Sequence, residues 1–285
     1  MSRLFVALQY LLPHHLLCRL MHAVSRSQIG WLKNVLIRAF VRKFAPDMSD
    51  ALEPTPTNYS SFNAFFTRAL RADARPVAPG ARAIVSPCDG TLSVADSARG
   101  QRLLQAKSHT YTLEALLAGQ GKWVARLTGG LYATIYLAPF NYHRVHMPLD
   151  GRLSAAWHVP GRLFSVNEST AARVPGLFAR NERLVCAFEG DHGPFAVVLV
   201  GALLVGSLST IWHGELSPAR TQSGPHSLAP GTGAGLWQPR GAELGRFNMG
   251  STVILLLPPG LAQWLPALRP GAPLRVGEGL GTLLA

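Results

Sequence analysis

Three short segments of this chain each carry a side chain able to do chemistry, and each lies beside turn residues at the end of an apolar run. Ser86-Pro87-Cys88-Asp89-Gly90 places a single carboxylate in a tight turn. Asn141-Tyr142-His143-Arg144-Val145-His146-Met147-Pro148 carries two imidazoles three residues apart. Gly245-Arg246-Phe247-Asn248-Met249-Gly250-Ser251-Thr252 leads straight into the apolar run Val253–Leu257, so the Ser251 hydroxyl stands at a turn-to-strand junction. An Asp, a His and a Ser drawn from separate segments can supply a nucleophile, a base and the group that orients the base. Singly, each has a plainer reading. Asp before Gly is a common turn former, H-x-x-H is more often polar packing than a metal pair, and Gly-Ser-Thr is a frequent tripeptide. On an extended strand His143 and His146 would face opposite sides, so both reach one site only if the chain turns there; Asn141 and Pro148 make such a path credible.

Side chains placed this way need a rigid scaffold, and the composition provides for one. Of 285 residues, 48% are hydrophobic and only 15% charged, where about 25% charged is usual, so a sizeable core is available. A collagen, a disordered tail and a disulfide miniprotein are excluded. The 28 Gly and 21 Pro recur between short apolar runs such as Ala83–Val85, Leu131–Leu137, Phe195–Leu204 and Thr252–Leu257, a texture of strands and turns. Helices are expected over Phe62–Arg71 and Tyr111–Leu117, and an extended loop over Ser217–Arg240. The fold class expected is α+β: N-terminal amphipathic helices followed by a β-rich, mainly antiparallel core of sandwich or barrel-like form.

Residues 1–45 contain seven Lys/Arg and no Asp or Glu. From Ile29 to Phe44, the residues Leu32, Leu36, Ala39, Phe40 and Phe44 recur at helical spacing opposite Arg38 and Arg42. No stretch approaches the ~20 uninterrupted apolar residues needed to span a bilayer, so the arm is expected to lie on a membrane and not cross it. Packing of the helix on its own body or on a second subunit is the alternative. With net charge +12 the chain suits polyanions, but its basic residues are interleaved with Leu, Ile and Phe and no nucleic-acid module is present. An anionic membrane surface is therefore the expected partner, and nucleic acid is not. Residues 46–61, with Pro54-Thr55-Pro56, read as a linker. Cys18, Cys88 and Cys186 are read as free thiols of a reducing compartment, and Leu4–Leu12 runs into Pro13-His14-His15 without a signal-cleavage site. A peripheral position on the cytoplasmic side of the cell membrane follows as the expectation.

The chemistry-bearing segments, in this order, resemble the bacterial phosphatidylserine decarboxylases, which make their own pyruvoyl cofactor by cleaving themselves. The resemblance runs from about residue 59 to 276. It includes Phe65-Phe66-Thr67-Arg68-Ala69-Leu70 with Arg75-Pro76, Ser86-Pro87 with Asp89-Gly90, Gln105-Ala106-Lys107, Tyr142 to Pro148, and Leu163-Phe164-Ser165-Val166-Asn167. It continues through Leu177 to Arg183, Val205-Gly206-Ser207 and Gly250-Ser251-Thr252. Where the family motif reads Leu-Gly-Ser-Thr, this chain has Met249, close to Leu in volume and apolarity.

The resemblance implies a catalytic domain over 62–285 that cuts itself between Gly250 and Ser251, and not at the similar Gly206-Ser207. The products would be a beta chain, 1–250, and an alpha chain, 251–285. It implies that Ser251 attacks the Gly250 carbonyl, that His146 takes the proton, and that Asp89 holds His146 in one tautomer. Residue 251 would become the covalent pyruvoyl group, which forms a Schiff base with phosphatidylserine and acts as an electron sink, giving phosphatidylethanolamine and CO2. His143 is implicated in decarboxylation as proton donor or substrate anchor. A homodimer is implied, and no metal. A Ser-His-Asp hydrolase would use the same residue types, but no G-x-S-x-G elbow is present. A zinc site on His143 and His146 would need His158 or His192, which are candidates only by arithmetic. A noncatalytic membrane adaptor is the rival from another class.

Overall fold

The computed structural model describes residues 2–106, 109–203, 207–216, 224–228, 236–249 and 251–284. Three helices open the chain: α1 (Ser2–Leu11), α2 (His14–Ser25) and α3 (Gly30–Phe44). A short α4 (Phe62–Phe66) follows, N-capped by the Ser61 hydroxyl, which accepts the Ala64 N–H at 3.1 Å. The strands are β1 (Ala83–Val85), β2 (Gly90–Ser97), β3 (Arg102–Ala106), β4 (His109–Thr112), β5 (Leu131–Leu137), β6 (Arg144–His146), β7 (Gly151–Val159), β8 (Arg183–Gly190) and β9 (Gly193–Gly201). After them come β10 (Leu208–Thr210), β11 (Gly214–Leu216), β12 (His226–Ser227), β13 (Trp237–Gln238), β14 (Glu243–Phe247), β15 (Ser251–Leu257), β16 (Ala262–Trp264), β17 (Pro273–Leu274) and β18 (Gly279–Leu283).

Among the described residues nine strands form one antiparallel sheet in the order β12-β7-β8-β9-β15-β5-β2-β17, with β13 also on β7. Its ends do not meet, so the architecture is an open sandwich and not a barrel. On one face lie the small sheets β11-β10-β14-β6 and β1-β18-β16, and on the other the β3-β4 hairpin and short helices. Alternation along β15 sends Val253, Leu255 and Leu257 into the first layer and Ile254 and Leu256 into the second. Every residue of β15 is buried, which is why its sequence reads as one apolar run.

Several expected elements end sooner than the apolar pattern does. The helix expected over 62–71 stops at Phe66, because the Thr67 hydroxyl turns back to the Asn63 carbonyl at 2.8 Å and Leu70 then bridges Ala51. Tyr111 and Thr112 belong to β4, and the Thr112 hydroxyl caps the helical turn Leu113–Leu116 by accepting the Ala115 N–H. Of the expected loop 217–240, the described part adds β12 and β13 to the edge of the large sheet.

The arm is tied to the body by its buried polar groups as well as its apolar ones. Gln9, fully buried, accepts the Ser165 N–H at 2.7 Å, and the His14 Nδ1 accepts the Leu163 N–H at 3.4 Å. On α3, Ile37 is fully buried and packs with Leu36, Phe40 and Val41 against Phe62, Phe65 and Phe66. The helical face picked out by Leu36 and Phe40 is therefore turned toward α4, correcting the expectation that it meets lipid. The exposed large apolar residues of the arm are Leu4, Phe5, Leu8, Tyr10, Leu11, Leu16, Leu20, Val24, Ile29, Trp31 and Val35. No single helix among the described residues is long and apolar enough to cross a membrane; Leu4–Leu11 and His14–Ser25 are bent by 89° to one another. Ile37→Ala should cost about 2–5 kcal/mol in urea unfolding, whereas Val35→Ala, at a position 57% exposed, should stay within about 0.5 kcal/mol of the parent.

Candidate active site

The three strands that matter here end together. Ser251, the first residue of β15, pairs with Leu137, the last of β5, and Thr91 near the start of β2 pairs with Tyr136. Asp89, the loop 138–143 and Ser251 thus share one end of the large sheet. Gly90 is required at this end, since a Cβ there would stand 2.4 Å from the Tyr136 carbonyl oxygen. β6 is drawn to the same place by the His146 N–H, which donates to the Pro87 carbonyl at 2.7 Å.

The Asp89 carboxylate is buried and fully engaged. Arg75 holds it in a fork, Nε to Oδ1 at 3.0 Å and Nη2 to Oδ2 at 2.6 Å, and the Val276 N–H donates to Oδ1 at 2.8 Å. Arg75 also reaches Asp50 at 2.8 Å, so the segment read as a linker contributes a charge to the site's foundation. Burial alone would lower the Arg75 pKa; the bonds to Asp89 and Asp50 outweigh it and raise it.

The His146 ring forms no hydrogen bond or ion pair with Asp89. Its Nδ1 lies 2.7 Å from the Gly241 carbonyl oxygen and its Nε2 3.0 Å from the Tyr142 hydroxyl. A carbonyl can only accept, so Nδ1 carries the proton and the Nε2 lone pair faces Tyr142. The tautomer is set by a main-chain carbonyl, where the resemblance implied a carboxylate. Burial is the largest influence on His146 and holds its pKa below 6.5, against the upward pull of the Gly241 bond and the Glu243 and Asp89 charges. The ring is therefore a neutral base at ordinary pH.

His143, one residue before β6, has a different set of partners. It is fully buried, its ring centroid 4.1 Å from that of Phe66, and its Nδ1–H donates to the Asn141 carbonyl at 2.8 Å. Its Nε2 has no hydrogen-bond partner among the described residues. Burial pushes its pKa down to about 3. The His143 carbonyl accepts the Phe247 N–H at 3.0 Å, which sets this histidine beside the strand that leads into Asn248 and Met249. Gly250 lies outside the described residues, as do Gly206 and Lys107. The Ser251 hydroxyl, 1% exposed, has no hydrogen-bond partner among the described residues either. Thus Asp89, His143, His146 and Ser251 gather at one end of the sheet without being hydrogen-bonded to one another. No group of three or more His, Cys, Asp or Glu among the described residues could hold a metal.

The family model described as Phosphatidylserine decarboxylase matches residues 62–282, and another, described as PSD, matches residues 4–45. The chain belongs to the phosphatidylserine decarboxylase family. It is thereby an enzyme, a carboxy-lyase. A phosphatidylserine decarboxylase proenzyme of Azotobacter vinelandii is 50% identical over 280 residues, covering 98% of each chain. Those of Pseudomonas fluorescens and Bordetella pertussis are 47% and 48% identical, covering 98% of this chain and 97% and 94% of theirs.

In this family member, reading the sequence alone leaves out much of what steadies the reactive groups. Arg75 and Tyr142 lie within the family-like segments, and Tyr142 sits four residues before His146, so the signal was present. The Gly241 carbonyl, the Val276 N–H and Asp50 carry no sequence signal, since main-chain donors and distant partners are fixed only by the fold. Because His143 is neutral when folded and takes up a proton when unfolded, its contribution is complete above pH 6.5 and is lost as the pH falls from there toward 3. Urea unfolding should lose up to about 1.4 kcal/mol per pH unit from this group alone, and His143→Gln should flatten the slope between pH 6.5 and 5.

Proposed function

We propose that the chain is a self-processing phosphatidylserine decarboxylase that converts phosphatidylserine to phosphatidylethanolamine and CO2 with a pyruvoyl group derived from Ser251. The observation that carries this reading is the Ser251 hydroxyl, sealed in the interior at the first residue of a central strand with no partner among the described residues. A buried unsatisfied donor costs about 1–3 kcal/mol. A residue that exchanges its hydroxyl for a ketone loses that donor, so the site fits the group better than it fits a resting serine.

In this reading Ser251 Oγ attacks the carbonyl carbon of Gly250, the C–N bond breaks as the ester C–O bond forms, and the amino group of residue 251 is freed. The hydroxyl proton goes to Nε2 of His146, which burial keeps unprotonated. The Cα proton of residue 251 is then removed as the Cα–Cβ double bond forms and the Oγ–Cβ bond breaks, releasing Gly250 as the carboxylate end of chain 1–250, and a proton returns to Cβ to give the imine. Water displaces ammonia at the new end of 251–285. Asp89 supports these steps at one remove: its charge favours the imidazolium and its bonds fix the turn on which the His146 N–H rests. The pyruvoyl group supplies an electron sink for the pair released with CO2. Backbone pairing of residue 251 to Leu137 and Gly201 would hold it, and Nε2 of His143, walled by Phe66, would serve as substrate anchor or proton donor.

The exposed apolar side of α1 to α3, with exposed Arg19, Arg38, Arg42 and Lys43 nearby, supports peripheral attachment to an anionic membrane on the cytoplasmic side. The homodimer remains part of this reading on the resemblance alone, and light scattering of the purified chain checks it.

Intact mass of the purified protein should give chains 1–250 and 251–285, the small one blocked to Edman degradation; an amino-terminal serine would refute the assignment. Ser251→Ala, His146→Ala and Asp89→Asn should leave a single full-length band on denaturing gels, and His143→Ala should split yet turn over poorly. In cosedimentation with anionic vesicles, Leu20→Asp with Trp31→Asp should release most of the protein, and salt should weaken binding without abolishing it. Phe40→Ala, altering the face turned to α4, should act on stability first.

A further inference from the structure

Two residues ahead of the Gly250-Ser251 bond, Asn248 is held by every polar group it has. Its N–H donates to the Ser207 carbonyl at 3.0 Å, and its Nδ2 donates to the Ser207 hydroxyl at 2.7 Å and the Ser209 hydroxyl at 3.0 Å. Its carbonyl accepts from Asn63 Nδ2 at 3.1 Å, and its Oδ1 lies 3.5 Å from the same nitrogen. The Ser207 hydroxyl is a junction. It donates to the Glu215 carboxylate, and it accepts from Asn248 and from Arg26 Nη2, the latter at 3.1 Å. A hydroxyl has one proton and two lone pairs, so this uses all of them. Glu215 is fixed in turn by Arg26 and by His22 Nε2 at 2.9 Å, which ties the array to the end of α2.

Downstream, Ser251 is pinned by its pairing to Leu137 and Gly201. Only Met249 and Gly250 separate the two fixed points, and the Met249 side chain is seated against Phe62, Phe65 and Phe66. We propose that the Glu215–Ser207–Asn248 array is a positioning device for self-processing, holding the chain ahead of Gly250 so that its carbonyl stays within reach of the Ser251 hydroxyl. Three residue steps cover at most about 10–11 Å, so a slip of Asn248 passes almost undiminished to the bond under attack. Displacements of about 1 Å can cost on the order of 100-fold in such a reaction. Charge on Glu215 and Arg26 strengthens the hold. In this view Ser207, the last residue of a sequence so like a cleavage motif, supplies the clamp and not the cut. The inference rests on the self-processing reading above.

The test follows conversion of the full-length chain, refolded from denaturant, into its two parts on denaturing gels with intact mass at each time. Ser207→Ala and Asn248→Ala should each slow conversion about 10- to 100-fold, and the double variant should be no slower than the slower single one, because the two act as a unit. Ser207→Thr, which keeps the hydroxyl, should convert within a few-fold of the parent. The cut should still fall at residue 251. Combined with Ser251→Ala, the same substitutions should give folded precursors by circular dichroism. Parental rates in both single variants, or multiplying effects in the double, would overturn the clamp while leaving self-processing intact. Failure of the trapped precursor to fold with Ser207→Ala would assign Ser207 to stability and overturn it too. A parent chain that never splits, or splits elsewhere, would sink the self-processing reading and the clamp with it.

Discussion

Strand β15 constrains everything around it. Seven consecutive residues pair with β5 on one side and six with β9 on the other, and side chains leave both faces into separate cores. A strand so placed has no slack in register, because a shift of one residue would exchange its two sets of side chains. Ser251 is thus fixed in space by the apolar run that follows it, and Asp89 by Gly90, whose lack of a Cβ lets β2 close on Tyr136. The loops that carry the reactive groups need to be right only over the few residues between such anchors.

Burial, more than charge pairing, sets the state of the two imidazoles. Each donates through Nδ1 to a main-chain carbonyl, which leaves Nε2 as the basic atom in both. What distinguishes them is the company of that second nitrogen: a tyrosine hydroxyl for His146, and an aromatic wall for His143. The Asp89 carboxylate spends its hydrogen bonds on Arg75 and Val276, acting on His146, together with Glu243, through its field. Such an arrangement keeps both rings uncharged without a neutralising partner in contact.

The segments bearing Asp89, the histidines and Ser251 were legible in the sequence because each ends an apolar run beside Gly, Pro or Asn, and strands such as Leu131–Leu137 were legible from the runs themselves. The arm was legible as helix but not in its orientation. Periodicity finds the apolar stripe through Leu36 and Phe40, yet it cannot tell a stripe that meets lipid from one that meets Phe62, Phe65 and Phe66. α1 and α2, with apolar residues on more than one side, expose Leu8, Leu16 and Leu20 while burying Val6 and Cys18. Partners such as Gly241, Val276, Glu215 and Asn63 were invisible for a different reason. Gly241 and Val276 act through main-chain atoms, Glu215 and Asn63 meet Arg26 and Asn248 across more than a hundred residues of chain, and nothing in local composition marks them.

The way Gln9 and His14 are sunk into the 163–170 segment has a mechanical consequence. A polypeptide tether lets its cargo tumble, whereas helices bolted to a body by buried polar contacts act as a mounting bracket. Any surface that α1 and α2 rest upon therefore sets the tilt and height of the whole sheet. Reorientation would require the bracket itself to come away from the body, and thermal motion would be confined to sliding and to spinning about the surface normal. Were the molecules that the site meets held in the plane of that surface, a three-dimensional search with free rotation would become a two-dimensional one at fixed attitude.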